Sequence, residues 1–567
     1  MQGKAFFGRS LPVQITLLIG IWLAGFLLLS VLFWAIGKIV NHRTIREKTI
    51  RALDILSTSR PLFKIGMVTA TALLALLAIL HLRLVFYPYQ MEFREGAIVL
   101  TTQAFLEGIN PWSLENNLTY INVYGIVYNA VVLPFAALFG NTLWIHRLVS
   151  FLAVIGQLIL IASVMRKKGI RWLYVLFTAV YIWLGQIYYT TPMARPDTLG
   201  QLFFLLTILL PVLGNFSRRS LIFSILFGWL GFFTKPYFVL GFPLVAAYLF
   251  LFENKRTAIL YALAGGVLIG ISSLVINHFF EAYFLNVIFS HVADTNSIYE
   301  FMLKQSARFV GEYWSILSIA LVAVIIAAVG IKWDEFRGHI LNFKAKQPFF
   351  YFKLDILLFC LLIAAVLIYA SLGRHNGTQM AYYYQLISPF LLILVFGYLE
   401  RHPQLSGLAV ICISINLIFH GWGNLKPDLK PWPTENWIRI QHYLEGQTEV
   451  IHSPAITYEV MKAGIPVMNS GQTSYFYPYP KSDFFLYPSK DRIAQIGDAF
   501  FAELAQRIAA QEYDIILVDA PYPAFAKRKY YETYYQPGEE IVISMPHTEQ
   551  TWPIQVMTPI QKDATAP

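Results

Sequence analysis

Long runs of apolar residues recur from near the N-terminus of this chain to about residue 421. A helix of about 17 to 25 such residues crosses a hydrocarbon layer of about 30 Å. Because backbone groups in lipid must satisfy their hydrogen bonds internally, such runs predict membrane-spanning helices. The sequence predicts about twelve spans, near 11–39, 62–86, 143–165, 172–190, 198–214, 219–234, 236–252, 257–278, 314–331, 354–372, 382–399 and 405–421.

The composition agrees with a polytopic membrane protein. Of 567 residues, 57% are hydrophobic and only 13% are charged, which is far more apolar than an ordinary soluble domain. The formal net charge is +10, and a basic excess on a membrane protein sets its orientation and contacts anionic lipids. We therefore expect membrane lipids as partners and no nucleic acid. Cys360 and Cys412 both lie in apolar runs, so the sequence predicts neither a disulfide framework nor a zinc site.

The basic residues between the predicted spans indicate the orientation. With the loop after the first span placed inside, the cytoplasmic loops hold 19 Lys and Arg, and the outer segments before the C-terminal region hold 8. This asymmetry places loop 87–142 outside the plasma (inner) membrane. If its apolar part, 120–139, were a span, every later loop would lie on the opposite side of the membrane, and the basic segment 166–171 would be outside. We therefore expect an interfacial helix there. Tyr120, Tyr124 and Tyr128 are spaced as anchors of that helix, or as plain packing residues.

The composition changes after the last predicted span. Charged residues and Pro-rich connectors appear, together with alternating helix and strand patterns. The predicted strands are Glu449–His452, Ile465–Met468 and Asp514–Asp519; Gly464 is expected to end the helix between the first two, and Ala499–Gln511 is expected to be helical. These patterns predict a C-terminal soluble α/β domain, which an even number of spans places outside as well.

Charged residues cluster in the predicted outer segments. Glu92 and Glu95 follow the second span, and a carboxylate at the boundary of lipid and water is costly unless it has a function or faces water. The other candidates are Arg94, Arg195, Asp197, Lys235, Arg374, His375, Tyr382 and Tyr384. Alternative roles remain open for several: Arg195 and Asp197 as a mutual ion pair, Lys235 and Arg374 as snorkelling cations, and the tyrosines as an aromatic belt.

Two carboxylates, a third acid and several cations on one face suit glycosyl transfer from a lipid-phosphate sugar. A carboxylate can take the proton of an acceptor hydroxyl as it attacks the anomeric carbon. Arg or Lys can stabilise the phosphate leaving group. One direct displacement inverts the anomeric centre. The sequence has no recognisable metal-ligand cluster, and this chemistry needs none, although a divalent cation is compatible with it.

The order of these motifs resembles the GT-C glycosyltransferases of the protein O-mannosyltransferase and aminoarabinose-transferase type, including family 39 and RgtA-like proteins. The resemblance rests on the outer acidic motif, Phe105–Trp112, Phe139-Gly-Asn and Arg147-Leu-Val-Ser. That family carries an Asp-Glu pair followed about a dozen residues later by Gly. Glu95 and Gly108 match this pattern, but Arg94 occupies the position of the Asp, the usual base. The resemblance therefore leaves Glu92 or Glu95 as the base, or implies altered activity.

Later motifs extend the resemblance. Arg195-Pro-Asp197, Thr234-Lys235 and the segment 373–389 are similar to the family's remaining site elements. They imply a polyprenyl-phosphate sugar donor, with Asp197 contacting the acceptor or sugar. Lys235, Arg195 and Arg374 would clamp the phosphate, with Arg94, His375, Tyr382 and Tyr384 as further donor contacts. The acceptor would be a glycan, a lipid or a protein; a lipid-linked saccharide flippase and a noncatalytic scaffold are the alternatives.

The predicted chain organisation has three parts. Residues 1–61 form an additional N-terminal span and a basic cytoplasmic loop, and residues 62–421 form a GT-C-like transmembrane catalytic domain of which loop 87–142 is part. Residues 422–567 form the extracytoplasmic α/β domain.

Overall fold

The structure is a computed structural model that describes residues 55–187, 190–289, 299–330, 354–372, 381–468, 490–519, 528–545 and 551–560. It is mostly helical. Up to residue 429 the α-helices are Arg60–Val85, Phe93–Leu106, Asn117–Tyr120, Ile126–Phe139, Leu143–Lys167, Trp172–Gln186, Asp197–Leu213, Arg218–Thr234, Gly241–Phe252, Lys255–Phe279, Tyr299–Gly330, Ile356–Leu372, Ala381–Tyr384, Ser388–Arg401 and Ser406–Leu429. The later helices are Glu435–Leu444, Thr457–Lys462, Lys490–Ala509 and Arg528–Tyr534.

Several of these helices have the length and composition of membrane spans. Within the described ranges, four are long and apolar enough to cross a membrane: Arg60–Val85, Leu143–Lys167, Lys255–Phe279 and the segment Pro403–Leu429. Shorter apolar helices accompany them. The count of twelve spans stays a prediction, and its first span, 11–39, lies outside the described residues.

The two short predicted spans around Lys235 form one bent unit. Helix Arg218–Thr234 ends at Lys235, whose backbone is extended, and a 3-10 turn, Pro236–Leu240, leads into Gly241–Phe252. Pro236 has no N–H to continue the helix, and it disfavours helical geometry at the residue before it. The break therefore leaves the Lys235 side chain at the end of a helix.

Loop 87–142, predicted to lie outside and called here the first outer loop, differs from its prediction. A single helix over 120–139 is wrong, because the chain is helical only up to Tyr120 and again from Ile126. Gly125 causes the break: its N–H donates to the Thr234 carbonyl at 3.1 Å, and an added Cβ would lie 2.0 Å from the Phe233 oxygen. Tyr124 and Tyr128 are consequently not on one helix, and both are buried instead of serving as interfacial anchors.

A four-stranded sheet lies near the C-terminus, in the order β1-β2-β4-β3. Its strands are β1 (Val450–His452), β2 (Ile515–Asp519), β3 (Tyr535–Ser544) and β4 (Thr551–Pro559). β1 and β2 are parallel, whereas β4 pairs antiparallel with both β2 and β3. The strand predictions that correspond to β1 and β2 are confirmed, and the β3–β4 hairpin was not predicted.

The predicted strand Ile465–Met468 is wrong. Gly464 does end the preceding helix, with a φ of 75° that glycine adopts without strain. The Ile465 N–H then donates back to the Val460 carbonyl at 3.3 Å. Because this capping bond uses the first backbone donor of the segment, the chain leaves the helix as an irregular connection.

The sheet packs against the start of the first outer loop. Tyr89 stacks on Trp437 with ring centroids 4.9 Å apart, and Met91 and Met193 share a buried cluster with residues of all four strands. The Gln90 side chain donates to the Pro454 carbonyl at 3.1 Å and accepts from the Tyr458 N–H at 2.7 Å. These contacts place the sheet directly beside Glu92.

Candidate active site

Glu92 caps the helix Phe93–Leu106. Its side chain accepts from the Arg94 N–H at 2.9 Å and from Arg94 Nη1 at 3.1 Å. A carboxylate is favourable here because the first N–H groups of a helix have no partner inside it and carry partial positive charge. Glu92 is buried, whereas the Arg94 side chain is 35% exposed. Arg94, which departs from the pattern of the family that the sequence resembles, therefore binds Glu92.

Glu95 has a different environment, one helical turn into the same helix. Its Oε1 accepts from Arg147 Nε at 2.9 Å and the Ala194 N–H at 2.7 Å, and its Oε2 accepts from Arg147 Nη2 and the Met91 N–H, both at 2.7 Å. Arg147 also donates to the carbonyls of Tyr87 and Tyr89. This fully buried pair ties the first outer loop to the helix Leu143–Lys167.

Asp197 is the first residue of its helix, and its carboxylate contacts two cations. Its Oδ2 lies 3.1 Å from Arg195 Nε, and its Oδ1 lies 2.8 Å from Lys235 Nζ. The helix Asp197–Leu213 places the carboxylate, and the break at Pro236 places the ammonium. Lys235 is 14% exposed, whereas Asp197 is fully buried. Burial lowers the pKa of Lys235, while Asp197 raises it, so the charge of the ammonium depends on this contact.

The ion pair of Glu92 and Arg94 and the charged group around Asp197 form one cluster. Arg195 Nη1 lies 3.9 Å from Glu92 Oε2, so the cluster contains Glu92, Arg94, Arg195, Asp197 and Lys235. Three cations and two carboxylates leave an excess of one positive charge. Each member is a candidate selected from the sequence. The ion pair between Arg195 and Asp197, which was one of the alternative interpretations, is present.

Tyr124 lies against this cluster and was not predicted as a site residue. The Arg195 guanidinium and the Lys235 ammonium lie 5.5 and 5.3 Å from its ring centroid, within the range of cation–π attraction. Burial raises the pKa of Tyr124 to about 12, although Arg195 lowers it, so the phenol stays neutral at physiological pH. The only signal in the sequence was its place before Gly125, at the break between two helices.

Tyr237 and Arg147 were also missed as site residues. Tyr237 has its ring centroid 5.1 Å from Lys235 Nζ and 4.8 Å from the Tyr383 ring centroid, which connects the cluster to the late outer segment. Arg147 appeared in the sequence only as part of a motif, because its partner Glu95 lies 52 positions away. A buried arginine in an apolar helix is itself a signal of a buried acid.

The late outer segment is described only in part. Arg374 and His375 lie outside the described residues, as does the side chain of Tyr382. Tyr384 is buried; its hydroxyl donates to Ser306 Oγ at 3.3 Å, and its ring stacks on Phe309 at 4.4 Å. In the described part of the chain, no three His, Cys, Asp or Glu side chains come together as a metal site would require.

Comparisons with known proteins give likenesses of structure. No protein-family model matches the sequence, and no curated protein does either. Aminoarabinose transferase, ArnT, from Cupriavidus metallidurans, solved with bound undecaprenyl phosphate, matches with a TM-score of 0.48 and 11% identity over 86% of this chain and 97% of that one. The Archaeoglobus fulgidus oligosaccharyltransferase matches in its apo form with a TM-score of 0.43 and 12% identity over 88% of this chain and 75% of that one.

The structural neighbours are GT-C membrane glycosyltransferases, the class that the sequence resembles.

Proposed function

We propose that this protein transfers a sugar from a polyprenyl-phosphate donor to an acceptor hydroxyl, with inversion, at the extracytoplasmic face of the plasma membrane. The observation that carries the proposal is the cluster of Glu92, Arg94, Arg195, Asp197 and Lys235, in which both carboxylates and Arg195 are buried. A carboxylate beside an excess of cations supplies a base for a hydroxyl and a partner for a phosphate. The distribution of basic residues between the predicted spans supports the outer side.

Lys235 and Arg94 are the cations best placed to meet the donor phosphate. They are the two members of the cluster with exposed surface, 14% and 35% of their side chains. Asp197 holds Lys235 and Arg195 by one oxygen each, so we assign it to positioning the clamp instead of contacting the acceptor or sugar. Arg374, His375, Tyr382 and Tyr384 remain proposed contacts of the donor.

Of the two glutamates, Glu92 is the better base. A carboxylate offers about four lone-pair sites, and four N–H groups occupy those of Glu95. Among the described residues, Glu92 accepts two hydrogen bonds, both from Arg94, and the contact with Arg195 is longer at 3.9 Å. At least one of the lone-pair sites of Glu92 is therefore left for an acceptor hydroxyl.

The reaction then needs one displacement. Glu92 accepts the acceptor proton as the acceptor oxygen bonds to the anomeric carbon on the side opposite the phosphate. The bond between that carbon and the phosphate oxygen breaks, and polyprenyl phosphate leaves with its charge stabilised by Lys235 and Arg94. The product sugar has inverted configuration because only one displacement occurs.

Replacing Lys235 by Met should weaken donor use. Met keeps most of the apolar length but removes the ammonium, and losing one charge-assisted contact of about 1.5 to 3 kcal/mol raises the KM for the donor roughly 10- to 100-fold. Steady-state transfer from a radiolabelled polyprenyl-phosphate sugar measures this change. Replacing Lys255 by Met, at the exposed start of another apolar helix, is the matched control. An unchanged KM for the donor in the Lys235 variant would show that Lys235 does not bind the donor phosphate.

A further inference from the structure

The carboxyl ends of the two parallel strands carry polar residues that the proposed reaction does not use. β1 ends at His452, followed by Ser453, and β2 ends at Asp519. The Ser453 N–H donates to the Leu517 carbonyl, which continues the pairing to the edge of the sheet. Crevices outside the carboxyl ends of parallel strands are a recurrent place for ligands in α/β structures.

His452 and Asp519 lie on the same face of the sheet. His452 is paired with Leu517, and Asp519 follows two residues later, so the alternation of a strand puts all three side chains on one face. Leu517 belongs to the buried cluster that includes Tyr89 and Met91. The two polar side chains therefore lie on the face that packs toward the first outer loop.

Both side chains are buried with unused hydrogen-bonding atoms. Asp519 is 3% exposed, and no partner within the described ranges completes a hydrogen bond to either of its carboxylate oxygens. Burial raises its pKa to about 6, although a weak side-chain interaction with the Ser453 hydroxyl, outside the geometry of a full hydrogen bond, lowers it. Buried polar atoms without partners are rare because each costs the free energy of its lost hydration, so such a group calls for an explanation.

His452 presents a hydrogen-bond acceptor to the same edge. Its Nδ1 lies 2.9 Å from the Ser453 carbonyl, which can only accept, so Nδ1 carries the proton. Burial lowers the pKa of the imidazole to about 4, so the ring is neutral and its Nε2 is an acceptor. Among the described residues, Nε2 has no partner.

Trp552 adds an aromatic surface and a donor. Ile554 pairs with Asp519, and Trp552 lies two residues away on the same face of β4; its Nε1 is buried and also lacks a partner in the described chain. Its ring lies 5.6 Å from that of Phe93, which follows Glu92 directly. The edge of the sheet therefore adjoins the proposed base, and Gln90 fixes the segment after Ser453 beside it.

We propose that this edge is the acceptor subsite and that the acceptor is a carbohydrate, whose hydroxyls bind Asp519 and His452 while its ring packs on Trp552. This inference rests on the proposed function. Sugar hydroxyls both donate and accept, which matches two acceptor groups beside the Trp552 donor, whereas an ammonium ligand only donates. A pyranose also has an apolar face that suits an indole ring at the border of buried and wet regions.

Saturation-transfer NMR on the full chain in lipid nanodiscs tests this inference with neutral methyl hexosides as probes. We expect saturation of at least one hexoside in the wild type, a loss of at least fivefold in Asp519→Asn and Trp552→Leu, and no change in Glu540→Gln. Glu540 is an exposed carboxylate of β3. Saturation that is equal in all variants, or seen only with tetramethylammonium as the probe, would overturn the proposal.

The stability of Asp519→Asn shows whether the carboxylate is kept for a ligand. The raised pKa means that the folded state binds this proton more tightly than the unfolded chain, so stability falls as the pH rises from about 4 to about 6. Above that range, the Asn variant should unfold at a higher temperature than the wild type, with the difference vanishing near pH 4. A lower unfolding temperature at neutral pH would mean that Asp519 serves the fold, and the subsite would be wrong.

The two proposals can fail separately. Glu92→Gln should slow transfer at least about 100-fold and keep hexoside saturation, since Glu92 is not part of the subsite. Hexoside saturation in a wild-type protein that transfers no sugar would refute the proposed glycosyltransferase activity and support the subsite as a binding site. Transfer by a protein whose Asp519→Asn variant has an unchanged KM for acceptor would refute the subsite alone.

Discussion

Replacing Glu92 by Gln should lower the rate of sugar transfer about 100- to 10,000-fold, the usual contribution of a positioned general base. Gln has the same shape, and its single oxygen can keep one of the two bonds that Glu92 accepts from Arg94 at 2.9 and 3.1 Å, but the amide takes no proton from the acceptor. The donor affinity should stay within a few-fold, because Lys235 and Arg94 are unchanged. Single-turnover transfer from a radiolabelled polyprenyl-phosphate sugar separates the chemical step from binding.

Glu107→Gln is the matched control for this prediction. Glu107 follows the C-terminal end of the same helix, where it is exposed, so its loss should leave the rate unchanged. A Glu92→Gln variant within threefold of the wild type would show that Glu92 is not the base. Since the lone pairs of Glu95 are occupied, such a result would require a base outside this glutamate pair.

Replacing Arg147 by Met should destabilise the protein by about 3 to 5 kcal/mol, the cost of leaving one buried charge without its partner. Arg147 makes two hydrogen bonds to Glu95 and holds the carbonyls of Tyr87 and Tyr89. Its loss leaves the Glu95 carboxylate buried with only backbone donors. Thermal unfolding of the purified protein in detergent measures the effect as a lowered transition temperature.

The partly exposed pair of Arg171 and Glu400 is the comparison for this variant. Arg171 lies 3.0 Å from Glu400 but is partly exposed, so Arg171→Met should cost at most about 1 kcal/mol. Adding Glu95→Gln to Arg147→Met should restore part of the stability, because the unpaired charge is then removed. Equal transition temperatures for Arg147→Met and Arg171→Met would show that the buried pair does not anchor the loop.

The helices could be predicted from the sequence because lipid imposes a simple rule. A run of apolar residues must form a helix there, and the runs from 143 to 165 and from 257 to 278 match Leu143–Lys167 and Lys255–Phe279 closely. The helix 120–139 was mispredicted because its break depends on Gly125 contacting Thr234, more than a hundred residues away. Apolar periodicity contains no information about such a contact.

The β3–β4 hairpin shows the same limit. β3 contains Pro537-Gly and two exposed glutamates, and its pairing with β4 shifts register between Pro537 and Glu540. Proline and glycine weaken a strand locally, so the sequence pattern did not predict a strand here. The strand forms because it pairs along β4, which is a tertiary cause.

The charged residues of the candidate site could be selected from the sequence, whereas their pairing could not. A charge at the end of an apolar run is conspicuous, so Glu92, Glu95, Asp197 and Lys235 were all selected from the sequence. Which carboxylate binds which cation depends on distances that no local pattern encodes. The sequence left the choice between the two glutamates open, and only the four donors around Glu95 distinguish it from Glu92.

The most direct test of the proposed function is the fate of the donor. The purified protein in liposomes would be given a radiolabelled polyprenyl-phosphate sugar and an envelope glycan extract as the source of acceptor. We predict that free polyprenyl phosphate appears, that the label moves to the glycan fraction, and that both signals appear at least about 100-fold more slowly in Glu92→Gln, because Glu92 has a lone pair for the acceptor proton. A donor that stays intact, or that crosses the bilayer unchanged, would contradict glycosyl transfer.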